Sequence, residues 1–142
     1  MEMETLLSEM EKDSKIDEAK LDAESLNVPY LYGKWQRIYF EEHKKLIALE
    51  RQKAKVYKER MCYYMGRADD EVYKSEPLEA RVIKTELSVY LDADEKYADI
   101  SEQYKNQKAI VDLIEGFMKK VSSRSFDIKN AIEFMRFKNG LS

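Results

Sequence analysis

At 142 residues, with 44% hydrophobic and 37% charged residues but only 4 Gly and 2 Pro, the chain has apolar material for one domain or one subunit, which excludes a disordered or collagenous polymer. No apolar run approaches the roughly 20 residues of a membrane span, the acidic start Met1-Glu2-Met3-Glu4 does not resemble a secretory signal, and the single Cys62 permits no internal disulfide, so a soluble protein of a reducing cytoplasm is expected. The net charge of −3 conceals nine acids against three bases in residues 1–33, ten bases against four acids in 34–67, and 15 acids against 12 bases beyond; a basic middle between acidic flanks points to a polyanion or an acidic partner surface.

One domain, 1–142, divides at Pro29 and Pro77 into an acidic arm (1–26), a long basic helix (27–64), a loop (65–81) and a C-terminal helical region (82–142). In the arm, Leu6, Met10, Ile16 and Leu21 are sparse among acids, which predicts short surface helices over 5–12 and 17–25 with weak anchorage. Asn27 can cap a helix whose first turn holds Pro29, where a missing N–H costs nothing. From there to Tyr64 only Gly33 interrupts. Leu31, Trp35, Ile38, Tyr39, Leu46, Leu49, Val56 and Tyr63 gather in one arc of a helical wheel, and Arg37, Lys44, Arg51, Lys55 and Lys58 fall opposite. A charged face is what any solvated helix shows, but this one carries a single sign. Arg60, two residues beyond Lys58, turns toward the apolar side and reaches the stripe only around the helix end.

Gly66 can end this helix, and Asp69-Asp70 favours a turn. Residues 82–91 fit a strand by alternation or a short helix by the face of Ile83, Leu87, Tyr90 and Leu91, and the helix is preferred. Asp92 with Glu95 resembles a capping box. Beyond it Tyr97, Ile100, Tyr104, Gln107, Val111, Ile114, Met118 and Val121 recur at spacings of three and four. This heptad seam predicts a coiled-coil or bundle interface, with Gln107 as the polar position that fixes register. Ser123 or Ser125 starts a last helix carrying Phe126, Ile128, Ile132, Met135 and Phe137, ended by Gly140. The resulting expectation is a mainly α protein. Its long basic amphipathic helix packs with a C-terminal helical hairpin, and Tyr97, Ile100, Tyr104, Val111, Ile114, Met118, Val121, Phe126, Ile132 and Met135 drive self-assembly.

Catalytic chemistry is not legible. One histidine, His43, and one thiol make neither a zinc set nor a Cys-His pair, and four glycines at 33, 66, 116 and 140 build no phosphate loop. Asp92, Asp94 and Glu95 lack the offsets of a calcium loop and read as caps. No enzyme activity, cofactor or metal is expected, and a binding or assembly protein remains. Single-stranded nucleic acid needs a track of cations and aromatic faces on which bases stack. Lys55, Lys58, Arg60 and Arg67 around Tyr57, Tyr63 and Tyr64 supply both, although core packing explains the tyrosines as well.

These residues carry a resemblance. Lys12-Asp13, Ile16-Asp17, Lys20-Leu21, Leu31-Tyr32, Lys34-Trp35, Lys58-x-Arg60, Tyr63-Tyr64-x-Gly66-Arg67, Lys74-Ser75-Glu76, Lys84-Thr85, Ser123-Arg124-x-Phe126-x-Ile128-Lys129 and Met135-Arg136, in this order and over nearly the whole length, resemble the UvsY family of recombination mediators from T-even-type bacteriophages. The resemblance implies a non-enzymatic protein of the infected bacterial cytoplasm, active in recombination, repair and replication. Such a protein binds single-stranded DNA, contacts a phage recombinase and a phage single-strand-binding protein, and helps the first displace the second. It also implies a ring-like homo-oligomer of about six or seven copies that needs the C-terminal part. Lys58 and Arg60 match positions the family uses for DNA, whereas Arg37, Lys44, Arg51, Lys55, Arg67, Tyr63 and Tyr64 rest on the wheel and on proximity. The loop after the tyrosine pair is less glycine-rich than the family's, and the stretch before Lys84 is longer. Two rivals are a coiled-coil adaptor or scaffold whose basic stripe meets a neighbour's acidic arm, and a membrane-surface helix.

Overall fold

The computed structural model describes residues 1–140, and all regular structure among them is helical. Five α-helices follow in order: α1 (Met3–Ser14), α2 (Leu21–Tyr64), α3 (Asp70–Ser75), α4 (Leu87–Asp92) and α5 (Glu95–Lys138), with 3-10 turns at Glu18–Lys20 and Lys84–Glu86. They form two compact units, Met1–His43 with Ala109–Ser142 and Lys44–Lys108, and both long helices contribute to each.

The first unit holds the apolar core. Leu6, Trp35 and Ile114 are fully buried with Met10, Leu31, Phe117, Val121 and Ile128 around them. Phe117 meets the Trp35 ring edge-on, with centroids 4.7 Å apart. Here α2 and α5 run antiparallel, since Trp35 faces Phe117 while Leu21, earlier in α2, shares a hollow with Phe134 and Met135, later in α5.

The acidic arm is firmly seated, contrary to the weak anchorage its composition suggested. Spacing four apart puts Leu6 and Met10 on one side of α1, and both are buried. Around that contact Lys34 Nζ donates to Glu9 (3.1 Å) and Asp13 (2.7 Å), and Trp35 Nε1 donates to Asp13 (2.9 Å). The terminal amine pairs with buried Glu42. Arg124 is buried too, and its two terminal nitrogens donate to the backbone carbonyls of Asp13 and Lys15 at the exposed end of α1. A cation at a helix C-terminus satisfies carbonyls that have no partner within the helix.

Four element boundaries differ from expectation. The turn at Glu18–Lys20, capped by Asp17 accepting from the Ala19 N–H (3.0 Å), leads straight into α2, so Pro29 lies inside the helix rather than in its first turn. Its missing N–H frees only the carbonyl one turn earlier. α5 runs unbroken through Ser123 and Ser125 to Lys138 in place of a hairpin, because these serines lie within a continuous helical pattern; Ser123 Oγ bonds back to the Lys120 carbonyl without ending it. The cap of α5 is Asp94, not Asp92: Asp94 Oδ1 accepts the Tyr97 N–H at 2.9 Å. The stretch before it is the 3-10 turn and α4, helical as preferred, and the expected loop contains α3.

The heptad seam is spent largely within the chain. Val111, Ile114 and Val121 are buried in the first unit and Ile100 in the second, with Tyr97, Tyr104 and Met118 half-buried. The buried members pack within the chain, and Tyr97, Tyr104 and Met118 keep part of their surface free. Phe126, Ile132 and Met135 are exposed, as are Phe134 and Phe137.

Candidate nucleic-acid interface

In the second unit α2 presents Lys44, Arg51, Lys55 and Lys58 to solvent, at spacings of seven, four and three that keep them on one side of the helix. Arg37 is likewise exposed in the first unit. α2 ends at Gly66, whose φ of 74° suits a residue without Cβ. The Arg67 N–H bonds the Cys62 carbonyl (2.8 Å) and the Gly66 N–H the Tyr63 carbonyl (3.2 Å), the paired bonds of a Schellman cap. That turn carries exposed Arg67 to the rim of an open groove of about 810 Å³, which Lys55, Lys58, Arg60 and Lys96 also line. Glu59 and Asp69 are its acids, so the rim keeps a positive balance.

Arg60 sits in the groove wall, not on its rim, and is 5% exposed. Nε donates to Asp94 Oδ2 at 2.8 Å, and Nη1 and Nη2 donate to the two oxygens of Glu76 at 3.1 and 3.0 Å. The guanidinium lies 4.2 Å from the centre of the Tyr63 ring and 5.4 Å from that of Tyr64. Burial works against its charge, but the bonds to Glu76 and Asp94 outweigh burial and hold its pKa above the ordinary arginine value. Glu76 is held below the usual carboxylate range by its bonds to Arg60, with Lys96 at 3.6 Å adding to the effect. Burial would raise Asp94, yet bonds from the Tyr64 hydroxyl (2.6 Å), the Tyr97 N–H and Arg60 bring it below its ordinary value.

The tyrosine pair does not offer free faces. Tyr63 is buried, stacks on Tyr73 at 5.3 Å and donates its hydroxyl to the Glu76 carbonyl at 3.0 Å. Tyr64 packs against Tyr63 and Tyr90. Burial pushes both phenols up in pKa. Of the expected base-stacking residues only Tyr57 keeps an exposed side, with its ring edge-on to Tyr97 at 5.5 Å. Sequence reasoning missed Lys96, Glu76 and the second role of Asp94. The available signal for Lys96 was its place in the first turn of α5, two residues after the true cap Asp94, where a side chain can reach the preceding segment.

His43 stacks on Tyr39 at 5.5 Å. Among the described residues no group of His, Cys, Asp and Glu could hold a metal ion, and no helix is long and apolar enough to cross a membrane.

Residues 9–141 match the family model described as "Recombination, repair and ssDNA binding protein UvsY". The chain belongs to the UvsY family. It is 34% identical over 140 residues to the recombination protein UvsY of Enterobacteria phage T4, spanning 99% of each chain. A crystal structure of the bacteriophage T4 recombination mediator protein UvsY superposes with a TM-score of 0.88 at 30% identity, covering 98% of both chains. A second lattice form gives 0.83 at 28% identity, with 97% of this chain and 99% of that one. The mainly helical architecture is therefore the UvsY fold, and kinship to a phage recombination protein extends through both units.

Proposed function

We propose that this protein is a recombination mediator that binds single-stranded DNA and promotes loading of a phage recombinase onto DNA covered by single-strand-binding protein. The observation that carries the reading is the groove of the second unit, where Lys55, Lys58, Arg67 and Lys96 surround one hollow in a chain of the UvsY family. Lys44 and Arg51 extend the track along α2. Arg37, exposed in the first unit, is a further cation assigned to DNA. Cations spaced on a helix face neutralise phosphates without reading bases, so binding is salt-sensitive and indifferent to sequence.

A few phosphate contacts per subunit give weak binding, and repetition of the track raises the effective concentration. Phe126, Ile132, Phe134, Met135 and Phe137, spread around the last turns of α5, are all exposed, and large apolar side chains left in solvent at one helix end are of the kind that marks association. They support a ring-like homo-oligomer, with recombinase and single-strand-binding protein as further partners. No chemical step is assigned to the chain. An adaptor without DNA contact is less favoured, since Glu9 and Asp13 of the acidic arm are already engaged by Lys34 of the same chain.

The test uses fluorescence anisotropy of labelled oligothymidylate with the wild type and with Lys55→Gln/Lys58→Gln. The double variant is expected to bind at least tenfold more weakly and to load recombinase poorly in a filament-assembly assay. Unchanged binding by that variant contradicts the reading.

A further inference from the structure

Resting on the DNA-binding reading, the geometry points to a phosphate subsite in the groove wall that the chain fills with its own carboxylate: Glu76 holds the place of a phosphodiester on Arg60 and Lys96, and the nucleic acid takes that place over.

Three observations carry this. Asp94 holds the guanidinium by Nε alone, and the rings of Tyr63 and Tyr64 lie against it, so Arg60 stays oriented when Nη1 and Nη2 are released. Those two nitrogens form the fork that accepts two oxygens of either a carboxylate or a phosphate, and Glu76 now satisfies both at 3.1 and 3.0 Å. Lys96 Nζ stands 3.6 Å from the Glu76 oxygen that accepts from Nη1, so two cations converge on one anionic position.

The exchange needs little movement. The Glu76 side chain is 42% exposed, against 6% for Arg60, and can swing into water. Its main chain remains fixed, because Tyr63 Oη donates to the Glu76 carbonyl at 3.0 Å and lies 3.3 Å from that of Pro77. Lys55, Lys58 and Arg67 line the same groove and bring a phosphate chain to the spot. Glu76 thus keeps a buried arginine neutralised in the free protein, and a strand that already occupies the rim competes with one mobile side chain.

Titration of labelled oligothymidylate against the oligomeric wild type, Glu76→Gln, Arg60→Lys/Glu76→Gln, Lys96→Gln and Lys58→Gln tests it. Glu76→Gln keeps the shape and removes the competing charge. It is expected to bind about tenfold more tightly, with a salt slope steeper by about one phosphate contact. Arg60→Lys/Glu76→Gln, lacking the fork, should lose that gain, which separates it from a mere change of net charge. Lys96→Gln, whose side chain is exposed, should fold normally and bind more weakly, with a shallower slope. If Lys58→Gln weakens binding while Glu76→Gln leaves affinity and slope at wild-type values, the subsite is overturned and the groove stands. If Lys58→Gln has no effect either, the groove itself is not the DNA site. A Glu76→Gln gain that persists in the Arg60→Lys background also overturns the proposal.

Discussion

Asp94 uses both oxygens: Oδ1 caps α5 through the Tyr97 N–H, and Oδ2 accepts from Arg60 and Tyr64. Replacing it by Asn leaves Arg60 buried with half its partners. A broken buried pair costs about 3–5 kcal/mol, so Asp94→Asn is expected to lower the urea midpoint by a corresponding amount. The pH dependence follows from the same pair. Asp94 and Glu76 lie below their ordinary values in the folded chain, so their stabilisation is complete above the ordinary carboxylate range and is lost as pH falls through the depressed values. Urea midpoints between neutral pH and pH about 3 should fall steeply only at the acid end, and Asp94→Asn should fall less there. A wild-type midpoint flat through the acid range would contradict the arrangement. Arg60 also illustrates how far the wheel reaches. The two-residue offset from Lys58 placed it toward the interior, as found, but nothing local to the helix named Glu76 and Asp94, sixteen and 34 residues away.

Among elements, α1 shows apolar spacing outweighing composition. Leu6 and Met10 are two residues among many acids, yet the unit closes over both. Leu6→Ala is expected to cost about 2–5 kcal/mol, and Arg124→Ala to speed hydrogen exchange in α1 before the rest of the first unit. Exchange equal to wild type in α1 would show that Arg124 does not hold it. Of the long helices α2 was legible because its three-and-four spacing is sustained, and so were the helix ends at Gly66 and Gly140, both with φ of 74°. Pro29 and the serines at 123 and 125 misled because a local breaker acts only where the surrounding packing permits a break. The seam is legible only in part: three-and-four spacing specifies a helical partner but not whether that partner lies in the same chain.

At the scale of the whole molecule, Phe126, Ile132, Phe134, Met135 and Phe137 are exposed on the last turns of α5, and the proposed self-association is assigned to them. Because the aromatic residues are exposed, Phe134→Ser/Phe137→Ser should change subunit stability little. It should still shift the protein to smaller species in sizing experiments and weaken DNA binding by at least tenfold. A smaller species with undiminished affinity would separate assembly from binding. The central claim, that spaced cations of the second unit grip the phosphate backbone, is tested most directly by the slope of oligothymidylate affinity against salt. Wild type should weaken steeply, and Lys55→Gln/Lys58→Gln should lose about two phosphate contacts' worth of slope per subunit engaged. Equal slopes in wild type and variant would contradict it.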